Sequence, residues 1–315
     1  MKGDPEVRMN DDRAYERTHL PKRGRNGSDR NRLLPVLLFL FLIILPTYSM
    51  AMIRSHSAIV VEALTGKVLY AKEPHCRLPP ASTAKLMTAI VAMGKLDLSG
   101  ILMVSKNAAN VPRCKVFKKG DRVSVEQLLY AALIKSANDA AVVLAEAVAG
   151  SEKDFVKLMN HKAISIGAEN TNFINSTGLP GPDQYTTVLD LSTIMRYALG
   201  YPKLREIIGT PVVELSTAKG KSMFLKNTDK LLWSDRSLIG GKTGYTFEAG
   251  HCFVCAAESQ NKRIIVALLG SPSRKLLWKE TEELIHKGFN TPADMGQEIG
   301  TVDRYLRMNV RKGTL

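Results

Sequence analysis

The property that most restricts this chain's fold is the order in which strand-like and helix-like segments follow one another. Ser57–Val61 and Lys67–Tyr70 are short apolar runs parted by Leu64-Thr65-Gly66, which reads as a hairpin. Helical patterns then take over at Leu86–Met93, Val125–Ile134, Ala140–Ala149, around Lys153–Ile166 and at Leu189–Leu199, with Asn175-Ser-Thr-Gly-Leu-Pro-Gly-Pro as a loop among them. From Val212 onward strand-like runs return at Met223–Leu225, Ser237–Lys242, Cys252–Ala257 and Ile264–Leu269. Leu276–Phe289 closes with a helix. If the first and last strand groups share one sheet, the helices between them form a lobe inserted into it. A crevice between two lobes is a usual place for an active site.

A different kind of sequence precedes this domain. Residues 1–32 carry nine Lys or Arg against six Asp or Glu and read as a disordered basic segment. Leu33–Pro46 is an almost uninterrupted apolar run, and with Ser49-Met50-Ala51 behind it the stretch fits a secretory signal ending after Ala51. As a helix the run measures about 21 Å, short of a ~30 Å hydrocarbon core, whereas extended to Ile53 it spans one. Residues 33–51 are therefore a signal peptide or a membrane anchor, and residues 33–53 are the route to membrane association. Under either reading the domain at residues 55–290 is exported, to the periplasmic or cell-surface side of the cytoplasmic membrane. A short tail, residues 291–315, follows.

A basic surface, here a formal net charge of +14, attracts anionic polymers, while for most of these charges a solvated face that aids solubility is the commoner reading. No zinc-finger spacing or basic-aromatic platform accompanies it, so nucleic acid is set aside as a partner. Cys252 and Cys255, beside His251, look like half a zinc site. Three apart on a strand, however, their side chains point to opposite faces, and no second pair lies nearby. They read as buried structural thiols, and no metal or cofactor is expected. With Cys76 and Cys114 they make four cysteines in an export-competent chain, whose pairing the sequence does not supply.

Three short patterns stand in order: Ser82-Thr83-Ala84-Lys85, Ser136-Ala137-Asn138 and Lys242-Thr243-Gly244. Each has look-alikes. Ser216-Thr-Ala-Lys219 repeats the first, while Ser105-Lys-Asn107 and Ser259-Gln-Asn261 mimic the second. Context separates them, because only Ser82 follows Pro79-Pro80-Ala81 and opens an apolar helical run. On a helix, positions i and i+3 share a face, so Ser82 and Lys85 can meet. A lysine acting as a base near neutral pH must lose about 3 units from its reference of ~10.4. Burial does this, and so does a second cation, for which Lys242 is the natural choice.

Ser136 and Asn138 are two apart and serve one site only if the chain bends between the helix ending at Ile134 and the one beginning at Ala140. Lys242-Thr243-Gly244 ends a strand. There the missing side chain of Gly244 lets a substrate backbone lie along the strand edge, and Lys242 with Thr243 offers a cation and a hydroxyl to a terminal carboxylate. Taken singly, the patterns are a helix cap, a Ser/Asn turn and an exposed lysine. Together and in this order they read as an active site.

The surrounding residues carry a resemblance. Pro80-Ala-Ser-Thr-Ala-Lys-Leu-Met-Thr-Ala, Ser136-Ala-Asn-Asp-Ala-Ala, Asn175-Ser-Thr-Gly-Leu and Gly241-Lys-Thr-Gly-Tyr-Thr-Phe-Glu-Ala-Gly resemble the low-molecular-weight penicillin-binding proteins, D-alanyl-D-alanine carboxypeptidases of peptidase family S11, over roughly Ser57 to Phe289. The resemblance implies an α/β (α+β), β-lactamase/transpeptidase-like fold: an antiparallel sheet flanked by helices with an inserted all-helical lobe. It implies hydrolysis of the terminal D-Ala-D-Ala bond of peptidoglycan stem peptides through an acyl-enzyme on Ser82, with β-lactams acylating the same serine. Lys85 is then the general base and Ser136 the proton relay. Asn138, Lys242, Thr243, Gly244 and Tyr245 bind substrate, and the backbone N–H groups of Ser82 and Tyr245 form the oxyanion hole.

Ala137 stands where that family usually has Gly, and Arg274 is a candidate for the arginine that assists the carboxylate in many relatives. The chain stops soon after Phe289, similar to the D-Ala-meso-diaminopimelate endopeptidase branch, which makes that activity the alternative. A β-lactamase is disfavoured for want of a Glu-x-x-Leu-Asn segment. A non-catalytic wall-binding protein is the remaining alternative, against which the intact triple argues.

Overall fold

Apolar runs from both ends of the domain meet in one sheet. The computed structural model describes residues 52–216 and 222–292. The segments 1–32 and 33–51, the cleavage position at Ala51, Lys219 of the repeated tetrapeptide and nearly all of the tail lie outside the described residues.

The chain begins with β1 (Ser57–Glu62) and β2 (Val68–Lys72), then passes through a 3-10 turn at Ala81–Ala84 into α1 (Lys85–Met93). It continues through β3 (Ile101–Met103), α2 (Lys106–Asn110), β4 (Arg122–Ser124) and α3 (Val125–Tyr130), which runs into a π turn at Ala131–Lys135. Next come α4 (Asn138–Ala149), α5 (Glu152–Ser165), α6 (Val188–Ala198) and α7 (Pro202–Ile208). The last part holds β5 (Val212–Ser216), β6 (Ser222–Lys226), a 3-10 turn at Leu231–Trp233, β7 (Leu238–Thr246), β8 (Gly250–Ser259), β9 (Lys262–Ser271) and α8 (Arg274–Asn290).

The main sheet has the order β2-β1-β9-β8-β7 and is antiparallel throughout. The first strand thus pairs with the last, Ser57 opposite Leu269 and Glu62 opposite Ile264, and the helical block is inserted between them. Both faces of the sheet are covered, which is why β8 and β9 read as unbroken apolar runs rather than alternating ones. On one face Ile59, Cys252, Val254, Ala256, Ile265 and Ala267 join the core shared with the inserted lobe. On the other, Val60, Phe253, Cys255, Ile264 and Val266 pack on Leu277, Leu284 and Ile285 of α8. Cys252 and Cys255 are accordingly buried on opposite faces, as their spacing requires, and all four cysteines are free thiols.

The helices follow local rules. Ser151 caps α5 by accepting from Asp154 N at 3.1 Å, and Phe155, Met159 and Ala163 then form its buried stripe. Ser124 and Gln127 make a reciprocal capping box on α3. At the domain's start the buried Glu280 of α8 accepts from Arg54 N, Ser55 N and Ser55 Oγ, while Lys72 Nζ donates to the carbonyls of Ile53 and Ser55 at 2.7 and 2.6 Å.

The inserted lobe is not all-helical. It carries the antiparallel pair β3–β4, with Ile101 opposite Ser124. Strands of three residues are too short to register a period of two, so the sequence does not announce them. The run at Met223–Leu225 is also placed differently from expectation. It belongs to β6, which pairs with β5 in a separate two-stranded sheet instead of joining the main one. Among the described residues no helix is long and apolar enough to cross a membrane.

Candidate active site

The crevice between sheet and lobe is built from three backbone irregularities. The first is the approach to Ser82. Pro79 and Pro80 deliver the chain to Ala81, which adopts φ +47° and starts the 3-10 turn. α1 itself begins only at Lys85, so Ser82 is not its cap and makes no capping hydrogen bond. Its hydroxyl faces Lys85 Nζ instead, at 3.0 Å. Lys85 is fully buried, and Nζ also donates to Asn138 Oδ1 at 2.7 Å and to Thr177 O at 2.6 Å. A neutral amine has two hydrogens and one lone pair. With both hydrogens taken by these acceptors, the lone pair is left for the Ser82 hydroxyl. Burial, reinforced by the neighbouring Lys242, holds Lys85 well below the ordinary lysine range.

The second irregularity is the bend that Ser136 and Asn138 require. The π turn ends at Ser136 in a left-handed conformation (φ +66°), Ala137 is extended, and α4 starts at Asn138. Such π insertions recur where a helix must place a side chain out of helical register. Ser136 Oγ thereby accepts from Lys242 Nζ at 2.9 Å, while Asn138 reaches Lys85. Asn138 Nδ2 donates to Pro112 O at 2.9 Å, and its backbone N–H donates to Cys114 O at 2.7 Å. Asp139, fully buried, accepts from Val116 N and Phe117 N, both at 2.7 Å, and pins the 112–117 loop onto the motif.

The third is the close approach of β7 to the Ser82 turn. Lys242 is fully buried and also donates to Thr243 O at 2.9 Å. Thr243 Oγ1 shares a 2.7 Å hydrogen bond with Thr228 Oγ1. Burial lowers Lys242 to about 7, opposed by Cys114 and Asp229. The positive charge of Lys242 is in turn one of the causes that lower Lys85, second to burial.

Gly244 is needed for packing as well as for the strand-edge role expected from the sequence. A Cβ there would stand 2.9 Å from Ala81 Cβ and 3.0 Å from Ser82 N, so the strand could not approach the turn. Gly178 does the same from the other side. Its φ is +78°, and a Cβ would fall 1.8 Å from Ala81 O. Tyr245 is about half exposed and stacks on His251, with ring centroids 4.5 Å apart. Arg274, exposed at the start of α8, acts on His251 and lowers its pKa after the larger effect of burial.

Ser82, Lys85, Ser136, Asn138, Lys242, Thr243 and Gly244 are thus brought together, with Tyr245 at the rim. The look-alikes fall elsewhere. Ser216 ends β5 with its hydroxyl 3.0 Å from Ser222 Oγ, and Ser105 caps α2 through Ala108 N. Ser259 ends β8 beside the positive-φ turn at Gln260 and Asn261. Three contributors were not legible. Thr177 acts through its carbonyl, which Asn175 Oδ1 positions by accepting from the N–H groups of residues 177–179. Asp139 was visible only as part of Ser-Ala-Asn-Asp, and Asp229 carries no pattern at all. Among the described residues no three His, Cys, Asp or Glu side chains are grouped to hold a metal ion.

A family model described as D-alanyl-D-alanine carboxypeptidase, peptidase S11, matches residues 46–273. The chain is 36% identical to the Bacillus subtilis D-alanyl-D-alanine carboxypeptidase DacF over 70% of its own length and 59% of that protein's, so it spans less than two thirds of that relative. It is 32% identical to the Escherichia coli D-alanyl-D-alanine endopeptidase over 76% of this chain and 81% of the other. The crystal structure of a D-alanyl-D-alanine carboxypeptidase from Mycobacterium tuberculosis superimposes with TM-score 0.74 at 31% identity, covering 78% of this chain and 94% of that one. The sheet and inserted lobe are the β-lactamase/transpeptidase-like fold shared with these neighbours. The match over most of the domain and the convergence of three separated motifs on one crevice lead to the same result: the chain belongs to peptidase family S11, the D-alanyl-D-alanine carboxypeptidases.

Proposed function

We propose that this protein is an exported serine DD-peptidase that cleaves the terminal D-Ala-D-Ala bond of peptidoglycan stem peptides and is acylated by β-lactams. The observation that carries the reading is the fully buried Lys85, with two fixed acceptors for its hydrogens and Ser82 Oγ 3.0 Å away. Ser82 Oγ attacks the carbonyl of the penultimate residue while its proton passes to Lys85 Nζ. The oxyanion is held by the backbone N–H groups of Ser82 and Tyr245. Ser136, hydrogen-bonded to Lys242, relays a proton to the departing amine. Asn138 holds the substrate peptide, and Lys242 with Thr243 receives the terminal carboxylate. Water then releases the acyl group and restores Ser82. Residues 33–53 are the means of export and of any membrane attachment.

Similarity to proteins named endopeptidases favours one second reading, cleavage of a D-Ala–diaminopimelate crosslink by the same apparatus. Digestion of purified muropeptides followed by mass spectrometry separates the two. Loss of one terminal alanine from monomeric pentapeptides supports the carboxypeptidase. Conversion of crosslinked dimers to monomers with pentapeptides untouched would replace it by the endopeptidase. Failure to bind fluorescent penicillin would remove both.

A further inference from the structure

Asp229 is a buried acid that the chemistry above does not use. It lies between β6 and the turn at Leu231–Trp233, in a segment stitched to the site. Thr228 N donates to Ile134 O at 3.1 Å, and Thr228 Oγ1 meets Thr243 Oγ1. The Asp229 side chain has no solvent exposure. Its Oδ1 accepts from Leu231 N at 3.0 Å, with the Leu232 amide also facing the carboxyl group. Oδ2 is buried without a hydrogen-bond partner, one of only three such side-chain atoms among the described residues. An ionised carboxylate with an orphan oxygen is costly in such a place unless a cation compensates it. The Thr228–Thr243 hydrogen bond joins the residues next to Asp229 and Lys242 in the chain, and the fully buried Lys242 is the cation that draws Asp229 toward its charged form.

Other groups do not displace this pairing. Asp235 and the Cys255 thiol of β8 also face Asp229, and both only disfavour its charge or are disfavoured by it. Lys226 is over the Trp233 ring and Lys230 is exposed. Around Lys242 stand Lys85, Cys114 and Asp229. Asp229 is the one carboxylate among these three.

We propose that Asp229 is the positioning residue for Lys242: a buried carboxyl group that stabilises the Lys242 ammonium and so sets the pH above which the site stops capturing a substrate carboxylate. The proposal rests on reading Lys242 as the carboxylate-binding cation. Burial raises Asp229 to about 7 and lowers Lys242 to about 7, and each draws the other back toward its charged form. Their titrations are therefore linked, passing from neutral acid with ammonium, through the form with both groups charged, to carboxylate with amine. Arrival of an anionic substrate at Lys242 favours the forms that keep the ammonium.

The test has two arms. The first measures KM and kcat for diacetyl-Lys-D-Ala-D-Ala from pH 5.5 to 9.5 in wild type and Asp229→Asn, which keeps the acceptor for Leu231 N. The rise in KM with pH is expected to move down by about one unit, giving roughly tenfold weaker capture above neutrality, with kcat changed less. A purely structural role would alter melting temperature or kcat and leave that midpoint in place, which overturns the proposal. The second arm follows the Asp229 side-chain carboxyl carbon by NMR titration in wild type and Lys242→Gln. Coupling is reciprocal, so the Asp229 midpoint is expected to move up when the ammonium is removed. An unmoved midpoint overturns the proposal even where Asp229→Asn does not fold. This arm needs no turnover, so a protein that leaves the tripeptide uncut yet shows the Asp229 shift contradicts the function and not the coupling.

Discussion

Gly244 and Ser82 meet backbone to backbone: a Cβ on Gly244 would stand 3.0 Å from Ser82 N. The strand that carries Tyr245 and the turn that carries Ser82 are thus in contact with no room for a methyl group. In the proposed mechanism each contributes one oxyanion donor, so the spacing between the donors depends on this glycine.

Gly244→Ala is expected to lower the rate of acylation by penicillin by roughly 10²–10³, the cost of misplacing one oxyanion donor. Unfolding free energy should fall by only about 1–3 kcal/mol, as for other overpacked sites. Stopped-flow fluorescence and urea denaturation measure the two. A variant that acylates at the wild-type rate would separate Gly244 from the chemistry.

Two serines begin a Ser-Thr-Ala-Lys tetrapeptide, but Ser82 faces a buried lysine and Ser216 faces the exposed Ser222. Ser82→Ala is expected to abolish the penicillin adduct in intact-mass spectra, and Ser216→Ala to leave it unchanged. The opposite pattern would refute the assignment.

In the proposed mechanism Lys85 and Lys242, with the same side chain, have opposite tasks. Lys85→Arg should abolish acylation, since arginine is not deprotonated in proteins and has no lone pair to take the Ser82 proton. Lys242→Arg keeps a charge beside Ser136 and is expected to retain measurable acylation with weakened substrate capture. Acylation rates across pH with one β-lactam test both. Near wild-type acylation by Lys85→Arg at neutral pH would disprove the base assignment.

Burial of Lys242 also makes stability pH-dependent. Its folded value, about 7, lies below the ordinary 10.5, so between those values the unfolded chain binds the extra proton. Stability from this group therefore rises with pH from about 7 to 10.5, and the penalty, up to about 5 kcal/mol, is fully present below 7. Lys242→Met removes that penalty. Relative to wild type the variant is expected to be most stabilised near pH 6 and least near pH 10.5, measured by urea unfolding. A difference independent of pH would contradict the burial of a titrating amine here.

The parts of the fold that were legible are those whose signal is local. The runs at Cys252–Ala257 and Ile264–Leu269 are apolar without a break because both sheet faces are covered, and they read as strands on that account. The spacing of Ser136 and Asn138 demanded a bend, and the structure supplies it through a left-handed Ser136. The parts not legible are short or depend on remote partners. β3 and β4 each have three residues, and α7 is a seven-residue helix with proline at its start, too brief for a period to appear. Met223–Leu225 is as strand-like as its neighbours in sequence. Its pairing with β5 instead of the main sheet is a choice of partner, which periodicity does not encode.

By itself the sequence determined the three motifs, the three-residue spacing that lets Ser82 meet Lys85, and the opposite burial of Cys252 and Cys255. These follow from backbone periods of two and 3.6 residues, which act over a few positions. Only the tertiary structure decided how completely each lysine is buried and which groups it meets. Lys85 takes its acceptors from residues 53 and 92 positions away, and Lys242 finds Ser136 across 106 positions. A lysine's pKa depends on how completely water is excluded and which charges stand within a few ångströms. Both are set by packing between segments distant in the chain, so no local pattern contains them.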